Sequence, residues 1–147
     1  MARDNPRYVE YAEGLRKELA AARTTLRERF GKDGALFESL PDLFLLVARL
    51  AFDARVPWKQ KLKLGGVVEY VISPVDLIPE AAEGAPGYAD DLLLAAIAVK
   101  KVTAQAPLAV KAGWTGKGDV KDIVARILKC GTRWVGQELH RRIRALF

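Results

Sequence analysis

Tyr8, Tyr11, Leu15, Leu19, Ala22, Leu26 and Phe30 follow one another at steps of three and four residues. That period is helical. It lays an apolar seam along one side of a helix over residues 6–30 and leaves Arg, Lys and Glu on the other. Period-two alternation of β-branched residues is nearly absent elsewhere, and Pro and Gly fall at helix-length intervals. The chain is therefore expected to be all-α, a single compact bundle of about five helices forming one domain over residues 1–147. A chain of 147 residues, half of them apolar, buries ~70% of its unfolded surface without needing disulfides or metals to hold it.

Start signals place the helices. Asn5-Pro6 offers an N-cap followed by Pro at the first helical position. Ser39-x-x-Asp42 and Ser73-x-x-Asp76 each resemble a capping box with Asp in place of Glu. Asp119 and Asp122 favour a helix start by complementing its dipole. The expected helices run over about 6–30, 41–54, 57–72, 88–105 and 120–145. Gly31 and Gly34 end the first. Gly65-Gly66 lies inside the third, where two glycines cost ~1 kcal/mol each relative to Ala; close approach of another backbone, or a local break, would account for them. Leu92 to Val99 is apolar all round, so the fourth helix should be the central one.

Charge is unevenly spread. Residues 64–99 hold Glu69, Asp76, Glu80, Glu83, Asp90 and Asp91 and no Lys or Arg, whereas the rest of the chain sets 24 basic residues against 12 acids, a net +12. No apolar stretch reaches the ~20 residues of a membrane helix. The N-terminal residues lack the apolar run of a secretory signal, and a lone Cys130 excludes an intramolecular disulfide. The expectation is a cytoplasmic protein, in reach of the inner membrane face. His140 is the chain's one histidine, so no His-based zinc site or catalytic dyad is in view. Gly113 to Gly118 lacks the spacing of a phosphate-binding loop.

Within the acidic segment the string Tyr70-Val-Ile-Ser73-Pro74-Val-Asp76-Leu-Ile-Pro79-Glu80 is followed by Gly87-Tyr-Ala-Asp90-Asp91 and an apolar helix. This resembles the YkvA family, a bacterial and archaeal domain of unknown function, over about residues 62–99. The resemblance implies a helical hairpin around the Ser73–Glu80 loop. It implies no activity.

Two readings of these motif residues stand side by side. In the first they are folding chemistry: Ser73 caps a turn, Pro74 and Pro79 bound it, and Asp90 and Asp91 sit in the first turn of the fourth helix, each worth ~0.3–1 kcal/mol against the dipole. In the second, Asp76, Asp90 and Asp91, with Glu80, converge on a hard cation such as Mg²⁺, Mn²⁺ or Ca²⁺ and serve an enzyme acting on an anionic substrate. The first needs no cofactor. A second surface lies on the last helix, where Arg126, Lys129, Arg133, Arg141, Arg142 and Arg144 oppose an apolar face built from Ile123, Ile127, Trp134, Val135, Leu139, Ile143 and Leu146. Such a helix suits an anionic membrane or a protein partner, whereas no nucleic-acid motif is indicated. The favoured expectation is a non-enzymatic binding or adaptor module.

Overall fold

Asn5 opens the first helix, its side-chain oxygen accepting the Arg7 backbone N–H at 2.9 Å with Pro6 at the first helical position. The computed structural model describes residues 4–72 and 86–145, except for the side chains at 86, 87, 132, 136–140 and 142. Seven α-helices and one 3₁₀ segment occur among these residues, and no strand: α1 (Pro6–Ala21), α2 (Arg23–Phe30), the 3₁₀ segment (Gly31–Ser39), α3 (Leu40–Leu50), α4 (Trp58–Ile72), α5 (Pro86–Gln105), α6 (Pro107–Gly113) and α7 (Val120–Ala145).

The long first helix expected over 6–30 is interrupted at a single residue, Ala22, whose φ of −90° and ψ of 3° leave the α-helical basin. Backbone bonds from Ala22 N–H to Glu18 O (3.0 Å) and from Leu26 N–H to Ala22 O (2.9 Å) carry the ladder across. The seam survives the break, with Leu15, Leu19 and Leu26 buried. Gly31 then ends α2 at φ +64°, a conformation glycine adopts without steric cost.

The 3₁₀ segment had no sequence signal, and it overturns one capping assignment. It runs straight into α3, so the Leu40 N–H is already bonded to Phe37 O. Ser39 is itself in the right-handed helical region rather than extended, and it makes no side-chain cap bond; its hydroxyl donates to Leu36 O at 2.6 Å. Asp42 pairs instead with Arg16 of α1 at 2.6 Å. The segment also delivers Phe37 into an aromatic cluster, with ring centroids 4.8 Å from Phe30 and 5.1 Å from Trp134, which ties α2 to α7.

α3 is more deeply buried than its expected face: of its residues only Asp42 and Arg49 are partly exposed. It also stops four residues short of Ala54, in a turn where Asp53 accepts the Arg55 N–H at 2.8 Å. α5 is central, as its apolar run requires. Every residue from Leu92 to Val99 is buried, and the helix packs on α3, α4, α6, α7 and the 3₁₀ segment. α4 and α5 pack on one another on either side of residues 73–85, matching the hairpin. α6 was not foreseen; Pro107 starts it one residue after α5 stops. At the start of α7, Asp119 accepts the Lys121 N–H at 2.9 Å, a cap in addition to the dipole complement expected of it.

Gly65 and Gly66 correct both explanations offered for them. α4 is continuous through the pair, and a Cβ built on either would meet nothing within 4 Å. Neither a break nor a close backbone accounts for them.

Candidate functional site

The acidic motif straddles the α4–α5 pair. Ser73, Pro74, Asp76, Pro79 and Glu80 lie outside the described residues. Gly87, Asp90 and Asp91 fall in α5. That helix starts at Pro86 rather than near Tyr88, which puts Asp90 and Asp91 in its second turn; the first turn holds no acid. The two carboxylates thus sit one turn further into the helix than expected, where complementing the dipole is worth less. The physical reason is Pro86, whose fixed φ and missing N–H suit the first turn and draw the start upstream.

Asp90 is only 5% exposed and, with Gln60, one of two buried polar side chains among the described residues. Asp91 is half-buried, and neither aspartate is without a partner. Tyr88 precedes Asp90 by two residues and is half-buried. Partial burial, helped by the negative charges of Glu18 and Asp91, holds its phenol above the usual tyrosine range. The negative region thus reaches Glu18 of α1, which sequence position alone could not place there. Among the described residues no three His, Cys, Asp or Glu side chains gather closely enough to hold a metal ion. The proposed metal ligands Asp90 and Asp91 are therefore not joined by a third ligand from that set, and Asp76 lies outside it.

The basic side is spread along α7. Arg126, Lys129, Arg133, Arg141 and Arg144 are all exposed, opposite Val124, Ile127, Cys130 and Ile143, which are buried. Arg142, His140 and Leu139 have side chains outside the description, and Leu146 lies beyond the described residues. Arg133 reaches Asp33 at 3.4 Å and stands the same distance from the Cys130 sulfur. Cys130 itself is buried, in keeping with a small core residue.

One further constellation was missed in the sequence because its members are remote from one another. Arg49 donates to both carboxylate oxygens of Asp4 at 2.9 and 2.8 Å, to Gly113 O at 2.7 Å and to Thr115 Oγ1 at 2.8 Å. The hydrogen bonds from Arg49 hold the Asp4 carboxyl below the usual range, and Asp4 raises Arg49 in return. Beside it opens a cleft of about 760 Å³ lined by Tyr8, Leu45, Ala48, Arg49, Phe52 and Arg55, among others. Among the described residues its two cations are paired, Arg49 with Asp4 and Arg55 with Asp53.

Residues 60–97 match the model of a family described as a protein of unknown function, DUF1232. The match covers 38 of the 147 residues and says what this segment is similar to. Its span runs from the third residue of α4 to Ile97 of α5 and takes in both the Ser73–Glu80 string and the Asp90–Asp91 pair. The YkvA-like label is compatible with this match. No curated protein and no solved structure matches the chain. The DUF1232 description names no chemistry, so function has to be argued from the surfaces just described. No helix among the described residues is long and apolar enough to cross a membrane.

Proposed function

We propose that this protein is a non-catalytic binding module that engages an anionic partner through its basic helices. The observation that carries the reading is the charge on the outer face of α7, where Arg126, Lys129 and Arg144 are exposed and have no ion-pair partner among the described residues. From Lys100 onward eleven Lys and Arg face three acids. Unneutralised charge of one sign speeds and strengthens encounter with an opposite surface, and salt weakens it. The DUF1232 hairpin then serves as the packed support: α5 is buried along its apolar run and holds α7 in place.

The test is binding at low salt to two anionic probes, phosphatidylglycerol vesicles and a soluble polyphosphate. The protein is expected to bind at least one of them, salt to release it, and the Arg126→Glu/Lys129→Glu double variant to lose most of the affinity while melting normally. Indifference to both probes would refute the reading.

A further inference from the structure

The outer face of α4 is poorly made for a helix that only has to fold. Its inner face is Gln60, Leu64, Val67 and Val68, all buried against α3 and α5. Its outer face carries Trp58, 66% exposed, and Leu62, 68% exposed. These are four residues apart and therefore adjacent on the helix surface. Lys59 and Lys63 follow them by one residue and are exposed as well, so a basic ridge runs alongside the apolar one. The Lys59 ammonium lies 5.8 Å from the Trp58 ring centroid. Residues 54–68 contain Arg55, Lys59, Lys61 and Lys63 and no acid. Three lysines in the first two turns work against the helix dipole, which favours acids there, and α4 has no first-turn acid. Lys59 and Lys63 have no ion-pair partner among the described residues.

Exposed apolar side chains, unneutralised lysines at the positive end of a dipole and two unused glycines are each unfavourable for the isolated fold. A partner would turn the first two into gains. We infer that this face is a docking surface for an anionic lipid membrane, with Trp58 and Leu62 entering the headgroup and upper acyl region and Lys59 and Lys63 contacting lipid phosphates. The inference rests on the anionic-partner reading above and names its partner.

Composition favours lipid over protein. Trp58 and Leu62 present on the order of 300 Å² of apolar surface flanked by lysines unpaired among the described residues, a residue type depleted at protein interfaces. A bilayer needs no shape complementarity, and Trp with neighbouring Lys suits its interface, where the ring sits at headgroup depth and the lysine stems reach out to water. At 15 residues, α4 is ~22 Å long, shorter than the ~30 Å hydrocarbon core. It is suited to lie on the surface.

The deciding experiment measures partitioning of the full chain onto phosphatidylcholine vesicles with and without phosphatidylglycerol, with soluble polyphosphate as a parallel arm. Native protein is expected to bind the anionic vesicles. Trp58→Ser/Leu62→Ser should lower the partition coefficient at least tenfold, and Lys59→Gln/Lys63→Gln about tenfold at low salt. Vesicles brominated in the acyl chains should quench a share of the tryptophan emission that is missing in Trp58→Phe. All four substituted side chains are exposed, and an unchanged melting curve checks the fold. Vesicle binding equal to native in Trp58→Ser/Leu62→Ser, or binding to polyphosphate but not to vesicles, overturns the inference and leaves the anionic-partner reading standing. Binding to neither probe removes that reading, and this inference with it.

Discussion

Glycine positions that look alike in the chain have opposite consequences in the fold. A Cβ added to Gly34 would lie 2.8 Å from the Leu26 carbonyl oxygen and 3.2 Å from the Arg27 nitrogen. Backbone cannot step aside as a side-chain tip can, so Gly34→Ala is expected to destabilise by about 1–3 kcal/mol. Gly65 and Gly66 have open space around the same built atom and sit inside a continuous helix. Gly65→Ala and Gly66→Ala should each stabilise by about 0.5–1 kcal/mol. Urea melts of the three variants would decide the matter; a loss of stability in either α4 variant would mean that the pair has a packing role after all. Ser39 and Asp119 make a similar contrast. Ser39 looks like a cap in the sequence and Asp119 only like a dipole complement, yet it is Asp119 that accepts a helix-start N–H. Ser39 is preceded by backbone that already bonds into the next helix. Whether a capping residue caps depends on the chain before it, and no local pattern announced a 3₁₀ entry.

At the scale of elements, the features written in local periodicity were legible and those created by distant neighbours were not. The seam from Tyr8 to Phe30, the all-round burial of Leu92 to Val99 and the starts at Asn5 and Asp119 follow from spacing alone. The near-complete burial of α3 does not, because it takes contacts from α1, α4, α5 and α6 to cover it. The outward placement of Trp58 and Leu62 was hidden for a related reason. α4 has apolar residues at 58, 62, 64, 67, 68 and 70–72, too many for one stripe, and only its neighbours determine which subset turns inward. Of the candidate site, the Ser73–Glu80 string and the Asp90–Asp91 pair were legible as a motif, whereas the approach of Glu18 to Tyr88 required the packing of α1. Arg49 is the clearest case of non-local design. It joins the residue before the α1 cap, the end of α3 and the end of α6 through four hydrogen bonds. Replacing it with Met keeps the stem and removes the donors, which leaves the Asp4 carboxylate and the Gly113 carbonyl without this partner. The expected cost is about 2 kcal/mol, read as a drop in Tm; a variant as stable as the native protein would show that water replaces all four bonds.

For the molecule as a whole, the ion pairs set an acid limit. The Arg49 hydrogen bonds lower the Asp4 carboxyl, and those from Arg55 lower Asp53. Both groups are depressed in the folded state. Their contribution is therefore fully present above the ordinary Asp value of about 3.9 and is lost as the pH falls through the folded values below it. Tm should be flat through neutral pH and begin to fall only below about pH 4, with a smaller fall in Asp4→Asn/Asp53→Asn. An identical acid profile in that double variant would assign the acid limit to other carboxylates. Basic character acts in the same direction: with a net charge of +6 at neutrality, protonating acids adds to self-repulsion.

Cys130 has a use beyond filling space. It is the chain's one thiol, and it is buried in α7 next to Gly131, where a built Cβ would stand 2.4 Å from Leu93 Cδ1 of α5. The sulfur lies 3.4 Å from the Arg133 guanidinium, which reaches Asp33 of the 3₁₀ segment, so a labelling reagent reaches it only when this part of α7 opens. The rate of thiol modification in native buffer therefore times that opening, without any engineered probe. If α7 opens as a unit of its own, labelling will outpace global unfolding. If the helix leaves only with the rest of the bundle, the two rates will coincide, and the protein will have one opening event in place of two.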